Sequence, residues 1–543
     1  MTRPESYPDR ALLEWLTDAP ADRGLYFAGP RDSWDFHSYR SLARLTLTTA
    51  AALRAHGVRH NDVVVVVQRS SPGFAASLFG ALAAGATPSS IAPPFAFQRS
   101  EDYQRHVDHL FRTAAPALTI CDEDSFEAVS KTCAGLGIRR PVLFDELVRD
   151  VEPAAAPYPL PDHALLQFTS GSSGFSRGVR VASDALRANI TAMRRRLRWR
   201  PEDAGISWMP VHHDFGLTGC LINMVVTGCD GWLMQPEHFL RDPVRYLRCI
   251  SENRIGLTAM PNFGLAYILR RVRPAALEGL DFSALQSVSL GAERIDPAAL
   301  EAIEALLGPY GFRRGVFTPA YGGAEATLGV TGLAPHEGWT ASAPDSEDGR
   351  PGTARIVGCG RPMEGVTVSV LDADDRPVPD GTVGEIVVGG TSVRGNSYVG
   401  EAGSASGTSL ASGVLRSGDA GFLREGQLFV LGRLGDGIKM NGKMVFAENL
   451  EGRLHELGVP ERRAAVLLGF RDGVATAAVV MEGAKPEWDA VAREVVTESL
   501  PDAELLLVHV RRSGLAVTSS GKPRRRLMWK QLCDGTLADT AAV

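Results

Sequence analysis

Five consecutive valines, Val63–Val67, constrain the fold of this chain more than any other feature. A β-branched run with no polar alternation has no solvent face, so it reads as a strand covered on both sides, as in a parallel sheet flanked by helices. The flanking residues agree. Ser41–His56 places Leu42, Leu45, Ala52 and Leu53 on one helical face, with Thr49 filling the turn between them, and Gly73–Ala84 reads as a second helix. The same strand-then-helix alternation is expected at Ala117–Cys121 and Pro141–Phe144, and again at Leu165–Phe168 and Gly256–Met260. The predicted class is α/β, with a large N-terminal domain of doubly wound sheets.

From about Gly352 the texture changes. Val366–Leu371, Val383–Val388 and Gln427–Leu431 are short alternating strands separated by the turn dipeptides Asp380-Gly381 and Glu425-Gly426, which predicts a small barrel-like subdomain. The expected organisation is an N-terminal domain over residues 1–432, with α/β subdomains to about 350 and a β-rich subdomain over about 352–432. A small mobile C-terminal α+β domain follows at 433–543, with strands at Ala464–Leu468, Val474–Met481 and Leu505–Val510 and a basic tail around Lys522–Arg526. A length of 543 residues accommodates this division. Ala341–Thr353 reads as a polar surface loop.

Charge and cysteine usage exclude several classes. Lys plus Arg number 57 against 63 Asp plus Glu, a net charge of −6, which argues against a duplex nucleic-acid binder. Seven scattered cysteines form no C-x-x-C pair, so neither a disulfide framework nor a zinc knuckle is expected. The first fifteen residues are polar and carry Pro4 and Pro8, unlike a secretory leader. The most apolar stretch, around Ser77–Phe97, is interrupted by Pro88, Pro93 and Pro94, so no membrane span is expected. The expectation is a soluble, cytoplasmic protein.

Two segments could carry chemistry. In the first, the apolar Leu165–Phe168 runs into Thr169–Gly178, ten residues with three glycines, five hydroxyls and one cation, Arg177, before helix-like sequence. Glycines let backbone N–H groups turn toward an anion, hydroxyls donate further, and the cation neutralises charge; the segment is either a phosphate cradle or a flexible polar turn. It is not a Walker A loop, because no Lys-Ser/Thr ends it. Gly358-Cys359-Gly360 lacks a third glycine in register, and Gly521-Lys522 is followed by Pro523, so neither is a nucleotide fingerprint of the usual kinds. In the second segment, Phe317–Thr327, Glu325 follows Tyr321 and two glycines among small residues; it reads either as a solvated charge or as a site holding a base on Tyr321 and a magnesium on Glu325.

Thr169–Gly178, Tyr321–Thr327, Ser417-Gly418-Asp419, Gly432-Arg433 and Ser519-Ser520-Gly521-Lys522 occur in that order. Together they resemble the core motifs of the AMP-forming, adenylate-making superfamily of acyl-CoA synthetases, luciferases and peptide-synthetase adenylation domains. Trp208–Leu217, Pro261-Asn262-Phe263, Gly291-Ala292-Glu293 and Tyr321–Thr327, with its Ala324, bring the resemblance closest to the fatty acyl-AMP ligases. It spans about Tyr39 to about Arg526.

The resemblance implies an enzyme that joins a hydrophobic, fatty-acid-like carboxylic acid to ATP with Mg2+, giving acyl-AMP and pyrophosphate. The acyl group then passes to an acyl carrier protein thiol or, alternatively, to coenzyme A. A third reading, prompted by Arg177 where the family usually has lysine, is a non-catalytic ATP-binding relative. By similarity, Thr169, Ser170, Gly171, Ser172, Ser173, Gly174 and Arg177 would hold the phosphates. Gly291, Ala292, Glu293, Tyr321 and Gly322 would line the adenine slot, and Asp419 and Arg433 would reach the ribose. Glu325 would bind magnesium. Lys522 would bridge the attacking carboxylate and the α-phosphate. His213, Asp214, Phe215, Gly216, Asn262 and Phe263 would form the acyl pocket, with His213 taking no proton, and Gly435 and Asp436 the hinge. The ligases' restraining insertion would fall at Thr331–Val357, which is short and polar here. The Arg194, Arg195, Arg196, Arg198, Arg200 cluster is expected to be a solvated helix face, with docking of an acidic carrier as the alternative.

Overall fold

The computed structural model describes residues 11–94, 100–169, 176–345, 355–399, 407–440, 443–471, 474–483, 485–512, 514–518 and 521–537. Val63–Val67 is the inner strand of a parallel sheet with Thr87–Ser90 on one side and Leu118–Cys121, then Val142–Leu143, on the other. Val64 and Val66 belong to the same core as Leu42, Leu53 and Phe74, whereas Val65 and Val67 belong to a separate core with Val107, Leu110 and Phe111. Both faces are covered, which is what a strand without polar alternation requires.

The helices against this sheet start where their caps dictate. Ser38 Oγ accepts from Ser41 N at the start of Tyr39–Ala55, and Ser71 Oγ accepts from Phe74 N at the start of Pro72–Ala83, with Pro72 in the first turn. The two helices meet at Gly80, where a Cβ would lie 2.7 Å from the Thr49 side chain. Any larger residue there would push them apart.

A second, nine-stranded sheet positions the site. Its six central strands run parallel in the spatial order Gly24–Ala28, Asp230–Leu233, Ala204–Ser207, Leu257–Met260, Ser287–Leu290 and Phe317–Gly322. Antiparallel strands, Trp34–Ser38 on one side and Gly329–Gly332 on the other, flank them. The segments after Ser207, Met260 and Leu290 and the end of the Phe317–Gly322 strand therefore cluster at the carboxyl edge of one sheet, the edge where open α/β sheets take ligands.

The structure corrects two expectations. The His163–Phe168 strand is not part of a doubly wound sheet: it pairs antiparallel with Gly178–Ala182, and the helix begins only at Ser183. The Thr169–Gly178 segment thus caps a hairpin instead of leading into a helix. The arginines after Met193 are not a uniformly solvated face, because Arg194 is buried, Arg195 pairs with Glu364 at 2.6 Å and Arg196 donates to the Pro362 carbonyl. After Lys522, Arg525–Cys533 forms a helix whose Met528 is fully buried.

Val366–Leu371, Gly384–Gly390, Val414–Arg424 and Gln427–Arg433 form an antiparallel sheet, the last two joined through Glu425 and Gly426, both at positive φ. Beyond Arg433, strands Ala464–Arg471, Val474–Glu482 and Glu504–Val510 make a mixed three-stranded sheet. Side chains alternate between two cores: Val466 and Val479 join Ile438 and Leu450, and Leu467 and Val480 join Met528 and Leu532. Among the described residues, no helix is long and apolar enough to cross a membrane.

Candidate active site

The carboxyl edge of the nine-stranded sheet opens into a cavity of about 1350 Å³, walled on its other side by the segments around Arg433, Glu448 and Lys522. Lys522 lies in a tight turn: its N–H donates to Thr518 Oγ1 at 3.1 Å, and its carbonyl accepts from Thr518 N at 2.8 Å. Burial and neighbouring Arg433 depress its ammonium below the ordinary lysine value, while Glu293, Asp214 and Asp419 pull the other way. Burial works against the charge, and three carboxylates from three separate segments offset it in part.

Asp419 is gripped on both oxygens. Tyr321 Oη donates to Oδ2 at 2.6 Å, and Arg433 Nε lies 2.9 Å from Oδ1. Arg433 also donates to the Ser417 carbonyl at 2.7 Å and to Thr408 Oγ1 at 3.1 Å, so its guanidinium is fixed in plane. Burial, then the Asp419 charge, push the Tyr321 phenol well above its usual range, so it stays a donor.

Glu325 and Arg177 meet at Tyr398. The Tyr398 hydroxyl donates to Glu325 Oε1 at 3.0 Å, and Arg177 Nη2 donates to the same hydroxyl at 2.8 Å. The guanidinium carbon lies 3.9 Å from the Tyr398 ring centroid, and Arg177 Nη2 stands 3.9 Å from Glu325 Oε1. Arg177 is positioned by its own hairpin, whose mouth is closed by Thr169 N donating to the Arg177 carbonyl at 2.9 Å. Ser170, Gly171, Ser172, Ser173 and Gly174 lie outside the described residues.

On the opposite wall, His213 Nδ1 is 2.7 Å from Asp214 Oδ1, which also accepts from Phe215 N. Burial works against the Asp214 charge, but His213, Lys522 and the Phe215 N–H together hold its carboxyl below the ordinary value. Gly291 and Ala292 follow the Ser287–Leu290 strand, and Ala292 takes a left-handed φ of 68°, a conformation that costs a non-glycine residue free energy. Glu293 Oε1 accepts from Phe263 N at 2.5 Å, and Oε2 lies 3.6 Å from Arg462; burial raises its carboxyl pKa, with Arg462 opposing.

Thr169, Arg177, His213, Asp214, Phe215, Asn262, Gly291, Ala292 and Glu293 all line this one cavity, as do Tyr321, Gly322, Glu325, Asp419, Arg433, Asp436 and Lys522. Three residues expected near it do not line it. Phe263 lies under Arg462, whose guanidinium carbon is 3.7 Å from the ring centroid. Gly216 packs on the Pro210 carbonyl, where a Cβ would approach to 2.3 Å, and Gly435 packs on Arg526. Sequence reasoning missed Tyr398, Thr408, Arg462 and Arg294, the last donating to Asn449 Oδ1. None stands in a motif, and only a three-dimensional contact singles them out.

The strand ends of the parallel sheet and the turn that carries Lys522 line one cavity, as the resemblance to adenylate-making enzymes implies. The chain belongs to the AMP-binding enzyme family, whose model matches residues 4–395. It is 27% identical over 575 residues to a Mycobacterium tuberculosis protein named as a fatty-acid–CoA ligase, covering 96% of each chain. It is also 27% identical over 564 residues to a 4-hydroxyphenylalkanoate adenylyltransferase of the same organism, covering 96% of this chain and 88% of that one. A solved structure from work on fatty acyl-adenylate ligases of E. coli and L. pneumophila superposes with a TM-score of 0.89 at 23% identity, over 99% of this chain and 100% of that one, and shows the shared fold.

Proposed function

We propose that this chain is an acyl ligase that activates a hydrophobic carboxylic acid as acyl-AMP and delivers it to an acyl carrier protein thiol. The observation that carries the reading is one cavity lined together by Lys522, Asp214, Glu293, Asp419, Tyr321 and Glu325. A carboxylate and a triphosphate repel each other, and a preorganised ammonium between them removes that barrier where charge concentrates.

In the first half-reaction a carboxylate oxygen of the acid attacks the α-phosphorus of ATP. The bond from that phosphorus to the bridging oxygen breaks, and pyrophosphate leaves with the electron pair. Lys522 neutralises the two approaching anions. Asp419 accepts from the ribose hydroxyls, oriented by Tyr321 and Arg433. The Thr169–Arg177 hairpin and Arg177 hold the leaving phosphates. In the second half-reaction a thiol sulfur attacks the acyl carbon, AMP departs, and the thiol proton is lost to solvent.

Magnesium is bound by one or two carboxylates together with substrate phosphates, not by an all-protein cage. Glu325 fits that pattern. Among the described residues its side-chain contacts with Tyr398 and Arg177 fall on Oε1, and it lines the cavity together with Thr169 and Arg177. Glu325 would hold the ion, which would screen phosphate charge.

Transfer to coenzyme A is the second reading, favoured by the relative named as a fatty-acid–CoA ligase; the fatty acyl-AMP ligase motifs favour the carrier protein. Carboxylate-dependent exchange of labelled pyrophosphate into ATP tests the first half-reaction, and its absence over a broad acid panel would favour a non-catalytic relative. Adding coenzyme A or holo-carrier protein and identifying the thioester separates the two acceptors.

A further inference from the structure

The cavity wall is not uniformly apolar. Along the sheet wall, Ser287, Ser289 and Thr318 stand on the same face as Leu257 and Ala259, and the register pairs Leu257 with Ser287, Ala259 with Ser289 and Ser289 with Thr318. These three hydroxyls satisfy one another, with Ser287 and Thr318 2.6 Å apart and Ser289 and Thr318 3.2 Å apart.

Asn223, on the helical wall of the same cavity, has no such arrangement. It is the first residue after the wide π-helical stretch Phe215–Ile222, a form of helix frequent at functional sites. Asn223 is 1% exposed and lines the cavity, and neither its Nδ2 nor its Oδ1 has a hydrogen-bond partner. A buried amide with both ends unpartnered is rare in folded proteins, and a binding pocket is one place where it is stable, because the ligand supplies the partner.

We propose that the acid this chain activates carries a hydroxyl group on its chain or ring, seated against the Asn223 amide. The inference rests on the adenylation reading above and narrows its substrate class. A hydroxyl both donates and accepts, so it answers the amide oxygen and the amide nitrogen together. A second carboxylate could pair only with the nitrogen, and an ammonium only with the oxygen. Arg196, a cation on the same cavity, is already turned to the Pro362 carbonyl.

The test is pyrophosphate exchange with matched pairs: straight-chain acids of six to twelve carbons and phenylalkanoic acids, each beside its hydroxylated counterparts. The expected result is a kcat/KM about 10- to 100-fold higher for the hydroxylated member of at least one pair, the range set by leaving a buried amide unpartnered. Asn223→Leu should collapse that ratio toward unity, and Asn223→Ser is read in the same way should the first variant not fold. Preference for the plain acids throughout, equal use of both members (as when water fills the position), or a hydroxyl preference that survives both substitutions would overturn the inference. All three outcomes leave the adenylation reading standing, whereas no exchange with any acid removes that reading and this inference with it.

Discussion

The Tyr321 hydroxyl donates to Asp419 Oδ2 at 2.6 Å while Arg433 Nε closes on Oδ1 from the other side at 2.9 Å. The carboxylate is thereby fixed in plane by two residues from strands that pair with different partners, Phe317–Gly322 in the parallel sheet and Gln427–Arg433 in the antiparallel one. If Asp419 takes the ribose, Asp419→Ala removes a charge-assisted acceptor and should raise the KM for ATP about 10- to 100-fold. Tyr321→Phe leaves the carboxylate present but less well oriented and should raise it less. Exchange kinetics at varied ATP concentration distinguish the two, and an unchanged KM in Asp419→Ala would remove Asp419 from the nucleotide site.

Lys522 carries a sharper expectation. Removing a donor that stabilises transition-state charge costs roughly 100- to 1000-fold in rate, so Lys522→Ala should lose adenylation by that factor with its circular dichroism unchanged. The pH dependence follows from its environment. Because burial and Arg433 depress the ammonium below the ordinary value of 10.5, the charged form is lost at a lower pH than for a free lysine. Adenylation should therefore fall on its alkaline limb below that value. Lys522→Arg, which does not titrate in this range, should lack that limb even where its absolute rate is lower.

Arg177 is held more elaborately than a lysine could be. Its guanidinium stacks on Tyr398, bonds the Tyr398 hydroxyl and reaches the Thr408 carbonyl at 3.3 Å. A compact ammonium can make the charge contact but not the stack and the fork together. Arg177→Lys should lower the exchange rate several-fold, and Arg177→Ala by more, since stacking of this kind contributes about 0.5–2 kcal/mol on top of the charge. Tyr398→Phe removes the shared hydroxyl between Arg177 and Glu325, and its effect should depend on magnesium concentration. A magnesium-independent effect would argue that Tyr398 acts on the hairpin alone.

Much of this was legible because the relevant signals are local. The valine run must be buried on both faces, and the Glu425-Gly426 turn needs positive φ; both follow from a few neighbouring residues. The motif residues Tyr321, Asp419 and Lys522 could be named by resemblance, and they do line one cavity. What stayed hidden depends on distant pairing. Tyr398 sits on the two-residue strand Ser397–Tyr398, far too short to leave a pattern, and it reaches Arg177 only because that strand pairs with Gly178–Ala182. The sequence around Thr169 reads as a strand leading to a helix, because an apolar run looks alike in parallel and antiparallel sheets. Asn223 looks like any polar residue in an apolar helix until its burial and its lack of a partner are known.

Arg525, three residues beyond Lys522, lies among Asp436 at 3.1 Å, Glu448 at 2.8 Å and Glu451 at 2.6 Å, and so ties the expected hinge to the helix Ala447–Glu456 and to the turn that carries the lysine. Removing the cation strands three carboxylates with little water, so Arg525→Met should destabilise the protein by about 3–5 kcal/mol. Burial pushes the Glu448 carboxyl up to about 7 from its ordinary 4.5, with Arg525 opposing. A folded state that holds this proton more tightly than the unfolded chain gains full stability from the group below the unfolded value, and loses it as pH rises through about 7. Urea midpoints for the native protein should therefore decline from about pH 5 to about pH 8, and Glu448→Gln should flatten that decline. The Arg525→Met penalty should be smallest at the acid end, where the stranded carboxylates can take up protons. A penalty independent of pH would mean that Arg525 acts through packing and not through the charges it faces.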